Sequence, residues 1–164
     1  MAALPDMCAT LLIAALVASS ERTAVLPRKV NLADAFSRVA EPWSPHVAGD
    51  VNECQLKVVK LKGEFVWHHH ELEDECFLVM RGRMRMKFRE DDTESVVDCE
   101  EGEMIVVPHG VVHCPMALSD ECHVLLVERG ETLNTGSAAD ALGDTKHEHG
   151  NVPLTKRTLK RLAD

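Results

Sequence analysis

The segment Arg83-Met84-Arg85-Met86-Lys87-Phe88-Arg89 places a cation at every odd position and an apolar side chain at every even one. Successive side chains of a strand face opposite sides. The period of two therefore predicts a strand that buries Met84, Met86 and Phe88 and shows its charges to water. Neighbouring runs agree: Leu56 to Leu61, Phe77 to Met80, Met104 to Val107 and His123 to Val127, each bounded by Gly, Pro or a charge cluster. Short strands at this spacing between Val51 and Glu128 predict an all-β sandwich or barrel.

Outward from this centre the chain changes character. The 164 residues suit one domain with tails. Met7 to Ser20 is charge-free and rich in Leu, Ala and Val, but too short for a bilayer span, which needs about 20 residues. A signal peptide is the alternative, with small Ala18 and Ser19 near a cleavage point; against it, Asp6 precedes the run and no Lys or Arg does. The expectation is a flexible extension over 1–27 and a cytoplasmic protein, or a secreted one if the run is a signal. Asn31 to Val39 predicts a short helix capped by Asn31. Trp43, between Pro42 and Pro45, is expected to plug the sheet rather than join it. The barrel domain spans 28–130. Beyond it, 131–164 is expected to be a loop followed by a short basic helix around Leu154, Leu159 and Leu162.

Charge excludes some partners. Eighteen Lys and Arg against 27 Asp and Glu give a net charge of −9, which disfavours nucleic acid and anionic membranes. Eight acids fall between Glu90 and Glu103 and predict a solvated hairpin connection rather than a cation site. The six cysteines form no C-x-x-C pair and are expected to be reduced thiols, several of them buried.

The chemistry concentrates at Trp67-His68-His69-His70. On a strand, His68 and His70 share a face that His69 does not. Antiparallel pairing after the turn Glu71 to Asp74 would set the Glu75 carboxylate beside both imidazoles. His113 follows the turn Pro108-His109-Gly110. His68, His70, Glu75 and His113 are thus candidate ligands of one divalent metal. His123 is expected on the outer face, and His147 and His149 in a solvent-exposed loop.

These residues resemble the small single-domain cupins. Four residues separate His70 from Glu75, and six separate Glu75 from Gly82, as in that family's first motif. Gly102, Pro108, Gly110 and His113 are similar to its second motif, after an intermotif stretch of 19 residues. Two departures stand out: Gly63 lies one position closer to His68 than usual, and Ala117 replaces a frequent Asn. Glu64 to His70 and Leu133-Asn134-Thr135-Gly136 resemble a cupin type-2, mannose-6-phosphate-isomerase-like monocupin group.

The resemblance implies an all-β cupin jelly-roll β-barrel with short flanking helices and a metal in its mouth on His68, His70, Glu75 and His113. Gly82 and Gly110 would serve tight turns. Mn, Fe, Ni, Cu and Zn all suit such a donor set, and four protein ligands leave positions open for water or substrate. The expected function is a metal-dependent enzyme on a small organic molecule, of dioxygenase, isomerase, cyclase or lyase type, with Met84, Met86 and Phe88 shaping an apolar pocket. A non-catalytic ligand-binding module and a purely structural protein are the alternatives. No catalytic acid or base is assigned. An outward apolar row of Cys76, Leu78 and Met80 predicts a homodimer.

Overall fold

The computed structural model of the chain describes residues 27–130, 132–137 and 160–162. One helix, α1 (Leu32–Ser37), precedes β1 (His46–Val51), β2 (Cys54–Leu61), β3 (Glu75–Arg81), β4 (Met84–Glu90), β5 (Thr93–Cys99), β6 (Met104–Val107), β7 (Val112–Ala117), β8 (Cys122–Arg129) and β9 (Lys160–Arg161). The strands form a six-stranded sheet, β6-β3-β8-β2-β1-β9, and a three-stranded sheet, β5-β4-β7. All neighbours pair antiparallel except β1 and β9, which run parallel. This is the expected jelly roll.

Alternation of side chains builds the interior. Met84 and Met86 are fully buried and Phe88 packs against the same cluster, which also holds Val59, Leu61, Phe77, Val79, Val124 and Leu126. Burying each such side chain contributes about 1.5–3 kcal/mol. The cations of β4, and Arg83 just before it, face outward and find partners: Arg85 pairs with Asp98 at 2.6 Å, Arg83 with Glu100 at 2.7 Å and Arg89 with Glu94 at 2.5 Å. Arg89 and Lys87 also lie over the Trp67 ring, 4.2 and 5.0 Å from its centroid.

The acidic segment is therefore more than a connection. Thr93 to Cys99 is a full strand in register with β4, and its acids answer the cationic row opposite. Polar composition hid a strand whose residues are exposed up to Cys99.

Gly82 turns β3 into β4 with φ +84°; a Cβ there would stand 2.5 Å from Ser119 Oγ and 2.9 Å from the Glu121 carbonyl. Only glycine fits both the angle and the space. Trp43 is buried as a plug, stacked on Phe65 at 4.7 Å, with Nε1 donating to the Lys62 carbonyl at 2.9 Å.

On the outer side of the six-stranded sheet, α1 and the residues just after it pack Ala35, Phe36 and Val39 against Ala48, Val58 and Leu162, with Met80 and Leu125 alongside. Asn31 caps the helix, accepting from Asp34 N at 3.2 Å. His123 faces outward, as expected, and stacks on Phe36 at 4.6 Å. Lys160–Arg161 form a strand beside β1 where a basic helix is expected, because Leu162 N donates to the Val47 carbonyl at 3.2 Å. The expectations for 1–26, for 138–159 and for His147 and His149 lie outside the described residues. Cys99, Cys114 and Cys122 are buried free thiols, and burial pushes Cys114 and Cys122 up to about 12. Among the described residues no helix is long and apolar enough to cross a membrane.

Candidate metal centre

The ligand candidates reach the barrel interior from both sheets. Residues 63–70 run along the free side of β7 as an irregular strand. Phe65 N donates to the Pro115 carbonyl at 2.9 Å, and His68 and His113 exchange backbone bonds of 3.0 and 2.8 Å. That bridge sets His68 directly opposite His113. His70 is held two residues on, where its carbonyl accepts from Gly110 N at 2.7 Å.

Glu75 arrives differently from the expectation. It opens β3, whose neighbours are β6 and β8, so it does not pair with the histidine segment. Residues 71–74 cross from one sheet to the other, and the carboxylate meets the imidazoles face to face across the barrel. Local spacing indicated residues that the fold does bring together, but by the wrong route.

His68, His70, Glu75 and His113 are all buried, and their ligand atoms lie within 4.8 Å of one another. Nδ1 of His68 donates to the Val66 carbonyl and Nδ1 of His113 to that of Val111, both at 2.9 Å. These bonds fix the tautomers and leave each Nε2 lone pair facing inward, as metal-binding histidines require. Nε2 of His70 and of His113 approach Glu75 Oε2 at 3.3 and 3.4 Å, too far for well-formed hydrogen bonds. All three atoms are buried without a hydrogen-bond partner among the described residues. Buried polar atoms rarely go unpaired, so convergent orphans of this kind fit a cation with bonds of about 2.1 Å.

The electrostatics agree. Burial, with His113 beside it, lowers His68 to about 3, so its imidazole is neutral at physiological pH. Burial would raise Glu75, but the imidazoles of His113 and His70 outweigh it and hold the carboxyl at about 2. His68 and Glu75 thus stand in the protonation states that a cation requires.

A pocket opens beside the cluster. Its walls are Trp43, Val59, Leu61, Phe65, Phe77 and Leu126, with Pro45 and Pro115, and its polar side chains are His68, Glu75 and Asn134. The volume is ≈ 30 Å³, more than the roughly 10–15 Å³ that one water needs on this measure. Met84 and Met86 belong to the packed core, Phe88 packs against it, and none of the three lines the pocket, contrary to the expectation.

Asn134 sits on a strap, residues 132–137, tied to the outward-facing residue of the histidine triplet. Ser137 N donates to the His69 carbonyl at 2.9 Å, and His69 N donates to Ser137 Oγ at 3.2 Å. Gly136 lets the strap lie this close: φ is +44° and a Cβ would fall 2.1 Å from the His69 carbonyl oxygen. Sequence reasoning assigned Asn134 no role, although the run Leu133 to Gly136 was its visible signal. It also missed Lys57 and Glu128, a buried ion pair at 2.7 Å inside the barrel. Burial, then the nearby Glu75 carboxylate, pushes Glu128 up to about 7 against the pull of Lys57.

Fold and site together define a single-domain jelly-roll barrel with a three-histidine, one-carboxylate cluster able to hold a metal ion. Comparison with known proteins agrees. Residues 56–128 match the Cupin domain family. A cupin-2 domain containing protein from Shewanella frigidimarina NCIMB 400 is 42% identical; the match covers 61% of this chain and 93% of that one, with a TM-score of 0.56. Protein NMB1881 from Neisseria meningitidis is 30% identical over 63% of this chain and 100% of that one, with a TM-score of 0.55. The uncharacterized protein YdbB of Bacillus subtilis (strain 168) is 28% identical over 83 residues, 51% of this chain and 71% of its own. The chain belongs to the cupin-2 family, as a monocupin.

Proposed function

We propose that the chain binds one divalent transition metal on His68, His70, Glu75 and His113 and acts as a metal-dependent enzyme on a small organic molecule. The observation that carries this reading is the set of three buried, unpartnered ligand atoms, His70 Nε2, Glu75 Oε2 and His113 Nε2. A bound ion would polarise a ligand oxygen or acidify water. The chain's own residues do the rest. Val66 and Val111 hold two imidazoles in the metal-binding tautomer. The apolar walls exclude water, and Asn134 offers an amide to a polar group of the ligand. Four protein donors leave room for that ligand, unlike a closed structural zinc site. The reaction is of dioxygenase, isomerase, cyclase or lyase type, and Mn, Fe, Ni, Cu and Zn all fit the donors.

The test is turnover: the Mn, Fe, Ni, Cu and Zn forms are offered oxygen and a panel of small carbonyl, enol and sugar-acid compounds. Metal-dependent consumption that disappears in His113→Ala is the expected result. One observation favours a second reading, a non-catalytic ligand-binding module: among the described residues the pocket's polar lining apart from the metal-ligand candidates is Asn134, whose amide is neither an acid nor a base at neutral pH. Metal-dependent ligand binding without turnover would support that reading against the first.

A further inference from the structure

One strand away from Glu75 the barrel buries a second charged pair that the metal cluster does not use. β8 lies between β3 and β2. The register sets Cys76 opposite Val127 and Phe77 opposite Leu126, so the next inward positions along these strands are Glu75 and Glu128, side by side. On the other flank of β8, Lys57 stands opposite Leu126 and reaches diagonally to Glu128 Oε1 at 2.7 Å. The order across the inner face is Glu75, Glu128, Lys57. The anionic end of the pair points toward the metal cluster, and the cationic end lies one strand further away.

Both side chains have zero exposure. A buried ion pair is a poor device for stability, because apolar replacements of similar volume usually serve as well or better. Two carboxylates at directly opposed positions also repel each other. Glu128 Oε2 is buried with no partner among the described residues, so Lys57 satisfies only half of the carboxylate. A dication between His68, His70, Glu75 and His113 would relieve this local excess of negative charge.

We infer that Lys57 and Glu128 form an oriented ion pair that gives the metal centre a second, non-ligating negative charge, with Glu128 as a positioning residue for the cation. The inference rests on the metal-binding reading above. Glu128 attracts the ion from outside its ligand shell; Lys57 fixes the carboxylate, and the bound cation together with Lys57 favours its charged form. Partners just beyond the ligands commonly change metal affinity by about 10- to 100-fold when removed.

The experiment compares chelator-stripped wild type, Glu128→Gln, Glu128→Asp and the double variant Lys57→Met with Glu128→Met. Each is titrated with zinc by calorimetry, and the Tm of each metal-free form is recorded. The double variant removes both charges at once, so it is expected to fold with an unchanged or higher Tm. It should nonetheless bind zinc at least about tenfold more weakly than wild type. Glu128→Gln should weaken binding at least as much, and Glu128→Asp should recover part of the loss. A double variant that binds zinc within about twofold of wild type would overturn the inference and leave the pair a structural one. If wild type itself takes up no zinc or other divalent ion, the metal-binding reading fails first, and this inference falls with it.

Discussion

At the scale of single residues, His68 and Glu75 hold the unusual protonation states, and both give the metal-free chain an acid-sensitive fold. His68 ordinarily titrates at 6.5 and falls to about 3 when folded; Glu75 falls from 4.5 to about 2. In each window the unfolded chain binds a proton that the folded chain refuses, so stability drops as pH falls. Glu128 acts oppositely: raised from 4.5 to about 7, it holds its proton in the folded state, and its contribution is lost as pH rises through that interval. The opposing effects overlap between pH 4.5 and 6.5. Below 4.5 only the destabilising ones remain, joined by surface Asp74, Asp98 and Glu121, which His109, Arg85 and His123 hold low. The urea midpoint of chelator-treated protein should therefore fall most steeply below pH 4.5, and less steeply in Glu75→Gln. A midpoint flat from pH 4.5 to 3 would contradict this assignment. The candidate ligands were legible in the sequence as H-x-H, Glu75 and His113 in the order of the two cupin motifs, although their spacing does not itself say how they meet. Lys57 was equally open to a period-two reading, because it shares parity with Val59 and Leu61. Its charge made an outward position the default, and only a partner 71 residues away reverses that.

At the scale of elements, the strap over the histidine segment and the β4–β5 hairpin show where local pattern ceases to decide. The β4 alternation identified its own strand, but β5 carries polar residues on both faces and is recognisable only through the cations it opposes. The fold of the strap likewise follows from a docking surface, the backbone at His69, and not from any periodicity of its own. Its weak point is Gly136. Ala there must adopt a left-handed backbone and displace the His69 carbonyl, at a cost of about 1–3 kcal/mol. Gly136→Ala should lower stability by that amount in urea denaturation and weaken ligand binding by withdrawing Asn134. A change under about 0.5 kcal/mol, the usual scatter for neutral surface substitutions, would show that the strap is not held there. Glu75 teaches a related lesson. Its proximity to the histidines arises from the crossing between sheets, which sequence spacing does not encode.

At the scale of the whole molecule, we propose that the outer face near β6 forms a homodimer. The row first expected there loses Met80 to α1, but Cys76 and Leu78 continue across the register onto Val106 and Met104. Met104 is 64% exposed and Val106 51%, on an edge strand whose far side has no partner strand among the described residues. Sedimentation at micromolar concentration should show a dimer, and Met104→Lys with Val106→Lys should give a folded monomer. A wild-type monomer would overturn the proposal. The account as a whole stands on the candidate metal cluster, whose residues come from both sheets and include two, His68 and Glu75, that line the pocket. Elemental analysis of protein purified without a histidine tag or chelating column tests it most directly. About one transition-metal ion per chain is expected, lost in His113→Ala while that variant stays folded. Protein that carries no such metal, and takes up none at micromolar concentration after chelator treatment, would contradict it.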